Sequence, residues 1–267
     1  MRVIDKETAI LVVDIGNTSL TCGVYYGDML VWHTRMQSLK EKTSDEYFSV
    51  IKSLLDDKYL SKIKFVAFAS VVPEMTRIWM HLCQKYLKAE IYLINAYSDL
   101  GIKYLVSDPG FIGADLVVNA YAALQKYHTN CIVIDLGTAT TVQVIKADGT
   151  FEGTVIAPGI KTGSAYLFEK TALLSEIELV APTKLLGTNT HDAMLSGIIY
   201  GHAFMIDSYI SAIKRQYASD MELKTIITGG MSDLVAPILS FINHVDKTIT
   251  LDGTYLALKR LHEISKD

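Results

Sequence analysis

The chain has 267 residues, of which 50% are hydrophobic and 20% charged, with a formal net charge of −4. That balance belongs to a globular protein with a sizeable core, organised as one large domain or two small ones. Acidic and basic residues are interspersed, which leaves no basic stripe for a nucleic-acid backbone, and no apolar run approaches the roughly 20 residues of a membrane span.

The N-terminus, MRVIDKETAILVVD, carries acids ahead of a short strand-like run, so the chain reads as cytoplasmic with neither a nucleic-acid nor a membrane partner. Residues 11–30, LVVDIGNTSLTCGVYYGDML, are echoed by residues 132–151, IVIDLGTATTVQVIKADGTF. In each copy an apolar β-branched run ends in Asp-x-Gly, and small polar residues lead into a second alternating run closed by Gly27-Asp28 or Asp148-Gly149. That pattern predicts a β-hairpin with a polar, glycine-containing tip. A third strand follows over 29–36 and 151–157, after which the period becomes helical.

The first half continues with a helix over 44–58, a strand over 65–69, a helix over 74–87 and a strand over 91–94. Past Asp108-Pro109-Gly110 an apolar helix covers 112–126. The second half offers helices after Pro158-Gly159 and over 191–217, a strand over 224–228 and a Gly229-Gly230 turn. A helix toward Ser240, a short strand near His244 and a terminal helix from Asp252 finish it. The expected fold is α/β, two duplicated domains (1–128 and 129–267), each a mixed five-stranded sheet with covering helices, and a ligand cleft between them. Cys22, Cys83 and Cys131 sit in apolar stretches without metal-ligand spacing and read as buried, reduced thiols.

An Asp at the end of a buried strand, followed by Gly and then Asn or Thr, sets a carboxylate beside exposed backbone N–H groups, which suits Mg²⁺ and phosphate oxygens. Asp14-Ile15-Gly16-Asn17-Thr18 and Asp135-Leu136-Gly137-Thr138 both fit. One copy alone reads more simply as a hairpin turn, since Gly, Asn and Asp favour turns for conformational reasons. Two copies at matching places point to phosphate. Neither Gly-x-x-x-x-Gly-Lys-Ser/Thr nor a Gly-x-Gly-x-x-Gly after a strand occurs, so the tips must serve as the cradle. Thr228-Gly229-Gly230-Met231 forms a strand-to-helix turn where backbone can approach a flat ligand, although as a bare turn it is unremarkable. Asp115, in Gly113-Ala114-Asp115, opens an apolar helix, either as an ordinary first-turn acid or as a placed carboxylate.

The segments DIGNT, SVVPEMTR, GAD, DLGTATT, APGI and GTNTHDAMLSG follow one another along nearly the whole chain. In that order they resemble the type III pantothenate kinases, which are ribonuclease H-like, actin-like ATPases of the acetate-and-sugar-kinase/Hsp70/actin superfamily. The resemblance implies ATP-dependent phosphorylation of pantothenate to 4'-phosphopantothenate, the first step of coenzyme A biosynthesis, by a homodimer. It implies an ATP phosphate loop of Asp14, Ile15, Gly16, Asn17, Thr18, Ser19, Leu20 and Thr21, with Asp14 meeting Mg²⁺ through the phosphates. Thr138 would be a further ATP contact, Gly229 and Gly230 would lie at the adenosine, and Asp135 would hold a monovalent cation, K⁺ or NH₄⁺. Asp115 would be the base facing the substrate hydroxyl, with Gly113, Ala114, Leu116, Val106 and Thr190 around the substrate.

Two positions depart from the family pattern. The motif is Gly-Ala-Asp-Arg, but Leu116 stands at the Arg. A tyrosine about seven residues before that Gly corresponds to Val106, with Tyr104 two residues earlier. Both departures fall on the substrate side, which leaves two alternatives: a kinase for a neutral, pantetheine-like alcohol, and a nucleotide-binding regulator. The retained Asp115 favours an enzyme over a regulator.

Overall fold

The computed structural model describes residues 3–170, 177–217 and 222–266. The chain opens on three strands, β1 (Ala9–Ile15), β2 (Ser19–Tyr26) and β3 (Met29–Gln37), joined as antiparallel neighbours. Helix α1 (Ser44–Leu54) starts at Thr43, whose side chain accepts from the Glu46 N–H while the Glu46 carboxylate accepts from the Thr43 N–H. This reciprocal capping satisfies two otherwise orphaned donors. Asp56 caps a separate short helix, α2 (Asp57–Leu60), so the single helix expected over 44–58 is two. Strand β4 (Ile63–Ser70) runs parallel to β1, and α3 (Pro73–Leu82) begins on Pro73, which fits the first turn because no intrahelical N–H is lost there. A five-residue π turn, Cys83–Leu87, ends at Lys88 with φ +50°, and β5 (Glu90–Ile94) closes the sheet in the order β3-β2-β1-β4-β5. Tyr47, Ile51, Met75, Trp79 and Leu82 share one core with Val13, Leu20, Cys22, Val66 and Phe68.

Next come β6 (Lys103–Tyr104), α4 (Ala114–Tyr127), β7 (Asn130–Leu136), β8 (Ala139–Ile145) and β9 (Thr150–Pro158). They are followed by α5 (Ile160–Lys170), α6 (Thr190–Lys214), β10 (Leu223–Thr228), α7 (Ser232–Val235), β11 (His244–Val245) and α8 (Ile249–Ile264). The second sheet has the order β11-β10-β7-β8-β9-β6. It repeats the plan of the first: an antiparallel β7-β8-β9 meander with β10 parallel to β7. It has six strands rather than five, because Lys103 and Tyr104 pair with Thr150 and Phe151. A two-residue strand carries no periodicity of its own, so only its distant partner defines it. Leu195, Ile199, Ala203, Ile206 and Ile210 of α6 are buried, at the helical spacing that packs one face against a sheet.

The structure divides into two compact units, Met1–Ile102 with Ser107–Ala122 and Ile249–Asp267, and Lys103–Val106 with Ala123–Thr248. The division differs from the expected boundary after residue 128 at three places, the first being that residues 123–128, which include the end of α4, go with the second unit. Residues 103–106 go with the second unit through β6, and α8 goes with the first. In the first unit Tyr255 stacks on Tyr25 with ring centroids 4.1 Å apart and donates to Asp28 Oδ1 at 2.7 Å. Cys22, Cys83 and Cys131 are buried free thiols, and burial pushes Cys83 up to about 12. No helix among the described residues is long and apolar enough to cross a membrane.

Candidate active site

Asp14 is half-buried near the end of β1, between the buried Val13 and Ile15, opposite Thr21 of β2. The tip that follows is tied down by its backbone. The Gly16 N–H donates to the Ser19 carbonyl at 3.0 Å, the Ser38 hydroxyl donates to the Gly16 carbonyl at 2.6 Å, and the Ser38 N–H donates to the Thr18 carbonyl at 3.1 Å. Asn17 and Thr18 are exposed at the apex, while Ile15 and Leu20 are buried in the core and can meet a ligand only through their backbone. Ser19 and Thr21 are half-buried on the opposite side of β2 from Leu20 and Cys22.

The Val71 N–H donates to the Ile15 carbonyl at 3.1 Å, so the Ser70-Val71-Val72 loop after β4 closes the same end of the sheet. Val71 also stands beside Gly113, where an added Cβ would lie 3.2 Å from Val71 Cγ1 and 2.3 Å from Asp115 Oδ1. No side chain fits at 113 without displacing the Asp115 carboxylate. Asp115 is half-buried in the first turn of α4, and its Oδ1 accepts from the Leu116 N–H at 2.9 Å. Burial raises its pKa above the ordinary aspartate value, and the bonds from the Leu116 N–H and its own N–H oppose that shift without cancelling it. The result is a carboxylate more basic than an exposed one. Ala114 and Leu116 are buried, Leu116 only 4% exposed, whereas Val106 is half-buried in the loop after β6.

The second unit repeats the first tip with one residue fewer, since Leu136 pairs with Thr140 where Ile15 pairs with Leu20. Asp135 occupies the same half-buried, penultimate place in its strand as Asp14. The Gly137 N–H donates to the Ala139 carbonyl at 3.1 Å, and the exposed Thr138 has its carbonyl held by the Gly159 N–H at 3.0 Å and the Thr162 hydroxyl at 2.7 Å. Gly229, at φ +92°, lies so close that a Cβ would meet Leu136 N at 2.5 Å and Asp135 Oδ1 at 2.6 Å. The Thr228-Gly229-Gly230 turn is thereby brought onto Asp135, with Gly230 exposed beside it.

Thr190 starts α6, where the Asn189 side chain accepts from the Asp192 N–H at 2.9 Å. It lines a cavity of about 680 Å³ with Leu167, Ala193, Met194, Gly197 and Ile198. Among the described residues no three His, Cys, Asp or Glu side chains form a metal cluster. Asp14, half-buried at the end of β1 beside the tip, fits a divalent ion held mainly by phosphate oxygens with one carboxylate beside them.

Four residues of this machinery escape sequence reasoning. Val71 lies inside SVVPEMTR and was open to detection there, but Ser38 and Thr162 act through contacts no local pattern announces. The fourth, His202 of α6, has Nε2 2.8 Å from Thr140 Oγ1 at the base of the second tip, and burial lowers its pKa.

The family model described as type III pantothenate kinase matches residues 10–212. A type III pantothenate kinase of Halalkalibacterium halodurans is 37% identical over 253 residues, covering 94% of this chain and 99% of that protein. One of Roseiflexus castenholzii is 34% identical over 259 residues, covering 96% and 99%. Component A of the (R)-2-hydroxyglutaryl-CoA dehydratase of Acidaminococcus fermentans is a similar solved structure, with a TM-score of 0.54, 15% identity, and coverage of 96% of this chain and 99% of that one. The ethanolamine utilization protein EutJ of Carboxydothermus hydrogenoformans is another, with a TM-score of 0.52, 15% identity and coverage of 93% and 89%. These two establish likeness of fold. With the model spanning most of the chain and relatives above 30% identity along nearly all of it, the chain belongs to the type III pantothenate kinase family.

Proposed function

We infer that the chain transfers the γ-phosphoryl group of ATP to the hydroxyl of pantothenate, yielding 4'-phosphopantothenate and ADP, the opening step of coenzyme A biosynthesis. The observation that carries the chemistry is the half-buried Asp115 carboxylate, bonded by the Leu116 N–H and lying beside Gly113 and Val71 at the same end of the first unit as the Asp14 tip. Phosphoryl transfer needs positioning and charge neutralisation more than covalent help, together with an acceptor for the hydroxyl proton. Oδ1 of Asp115 is engaged by the Leu116 N–H, so the proton passes to Oδ2 as the hydroxyl oxygen bonds to phosphorus and ADP leaves.

Asp14 to Thr21 hold the phosphates, and Thr138, Gly229 and Gly230 complete the nucleotide contacts. A divalent ion, which we assign as Mg²⁺, supplies charge neutralisation when bound, with Asp14 reaching it through the phosphates. Asp135 holds a monovalent cation, K⁺ or NH₄⁺. Gly113, Ala114, Val106 and Thr190 border the acceptor, and the buried Leu116 contributes its backbone. The working state is a homodimer, supported by the exposed face of α6, where Ala193, Gly197, Gly201 and Phe204 follow at helical spacing.

The test is ADP release measured with pantothenate, with pantetheine and with no acceptor. Turnover that depends on pantothenate is expected. Turnover with pantetheine alone would move the activity to a neutral alcohol, and none with either would leave only nucleotide binding.

A further inference from the structure

We propose that Arg35 is a phosphate-binding residue of this enzyme, one that directs its guanidinium at the outer phosphates of the nucleoside triphosphate. The proposal rests on the assignment of the first tip to phosphate and adds the cation that tip lacks. Between Asp14 and Thr21 there is no Lys or Arg, and no P-loop lysine occurs elsewhere. A triphosphate on backbone N–H groups and hydroxyls alone would keep most of its charge uncompensated.

The sheet supplies the missing charge from β3. Asp14 pairs with Thr21, and Thr21 pairs with Arg35, so the three form one row across β1, β2 and β3. Directly opposed residues of antiparallel strands project on the same face, which sets Asp14 and Arg35 on either side of Thr21, about 10 Å apart at the backbone. Leu20, Cys22 and Val24 of β2 point the other way into the core, and further along the row's own face Val12, Gly23 and Tyr25 are buried against α8, while Thr21 is half-buried and Arg35 exposed at the end of the sheet.

Two bonds fix the guanidinium at the tip. Arg35 Nε donates to Ser19 Oγ at 3.0 Å and Nη2 donates to the same oxygen at 2.7 Å. Among the described residues no carboxylate lies within ion-pair distance of it. An exposed arginine is ordinarily free to sample many rotamers in water, but this one is held against a neutral hydroxyl of the phosphate tip. Its remaining donors form the planar fork that suits a phosphate. A metal-bound triphosphate over this face would meet Asp14 through the metal on one side and Arg35 on the other.

Arg35→Gln removes the charge and keeps a donor for Ser19. Calorimetric titration of the β,γ-imido analogue of ATP should show affinity reduced about 10-fold or more, the scale of a hydrogen bond to a charged group. ADP should lose less and AMP nothing, and Arg35→Lys should recover part of the loss. Asn17→Ala tests the underlying assignment separately. If Asn17→Ala weakens the analogue and Arg35→Gln does not, Arg35 merely braces Ser19 and the proposal is overturned while the tip stands. If neither substitution moves the analogue's affinity, the phosphate assignment of the first tip fails along with it. Equal losses for the analogue and AMP would also overturn the proposal, because they would place the effect away from the outer phosphates.

Discussion

Asp115 answers to two requirements, since proton acceptance favours a basic carboxylate and folding favours a hydrated one. Burial raises its pKa in the folded protein. For a raised carboxylate the stability contribution is fully present below the unfolded pKa and is lost as pH rises through the folded pKa, so at neutral pH the ionised group costs stability. Asp115→Asn is accordingly expected to melt higher than wild type at pH 7, with the difference shrinking as pH falls toward the ordinary aspartate range. The same substitution should lower turnover by about 10² or more while ATP affinity stays nearly constant. Scanning calorimetry at two pH values, with steady-state kinetics beside it, checks both halves. Leu116 shows where the sequence runs out at this scale. The Gly-Ala-Asp run marks Asp115, but nothing in it tells that the next side chain turns inward. An arginine there would have to enter the apolar interior, so Leu116→Arg should cost at least about 2 kcal/mol in chemical denaturation, from lost packing and a desolvated charge.

At the scale of elements, the two hairpins were legible because each is local: strand, Asp-x-Gly tip and returning strand lie within twenty residues of sequence. The contacts that give the tips their shape come from far along the chain and were not. Thr138 is held from the β9–α5 corner, and Asp135 is approached by Gly229, 94 residues later. The docking of α8 is the same kind of feature. Gly253 abuts the Val118 carbonyl of α4, where an added Cβ would come within 2.0 Å. The helix period was readable, but the partner surface was not, which is why the sequence assigned α8 to the second half. Gly253→Ala is expected to destabilise the protein by about 1–3 kcal/mol through forced separation of these helices. A fall in the urea midpoint with an unchanged slope is the expected reading, and an unchanged midpoint would mean that the contact relaxes freely.

For the whole molecule, duplication was visible in the repeated hairpin and is repeated in the two sheets, each with a meander and a parallel strand beside its first member. Assembly is less legible, because the helical spacing in α6 gives the face formed by Ala193, Gly197, Gly201 and Phe204 but not the surface that covers it. Light scattering at micromolar concentration should give twice the chain mass of 29.6 kDa, and a single chain mass would refute the homodimer. The central claim concerns chemistry, and product analysis reaches it most directly. Wild type and Asp115→Asn would each be incubated with ATP, Mg²⁺ and pantothenate, and 4'-phosphopantothenate and ADP quantified by mass spectrometry. Equimolar formation of the two products by wild type, and at least about a hundredfold slower formation by the variant at equal ATP affinity, is the expected result. ADP without phosphopantothenate, or a variant as fast as wild type, would contradict it.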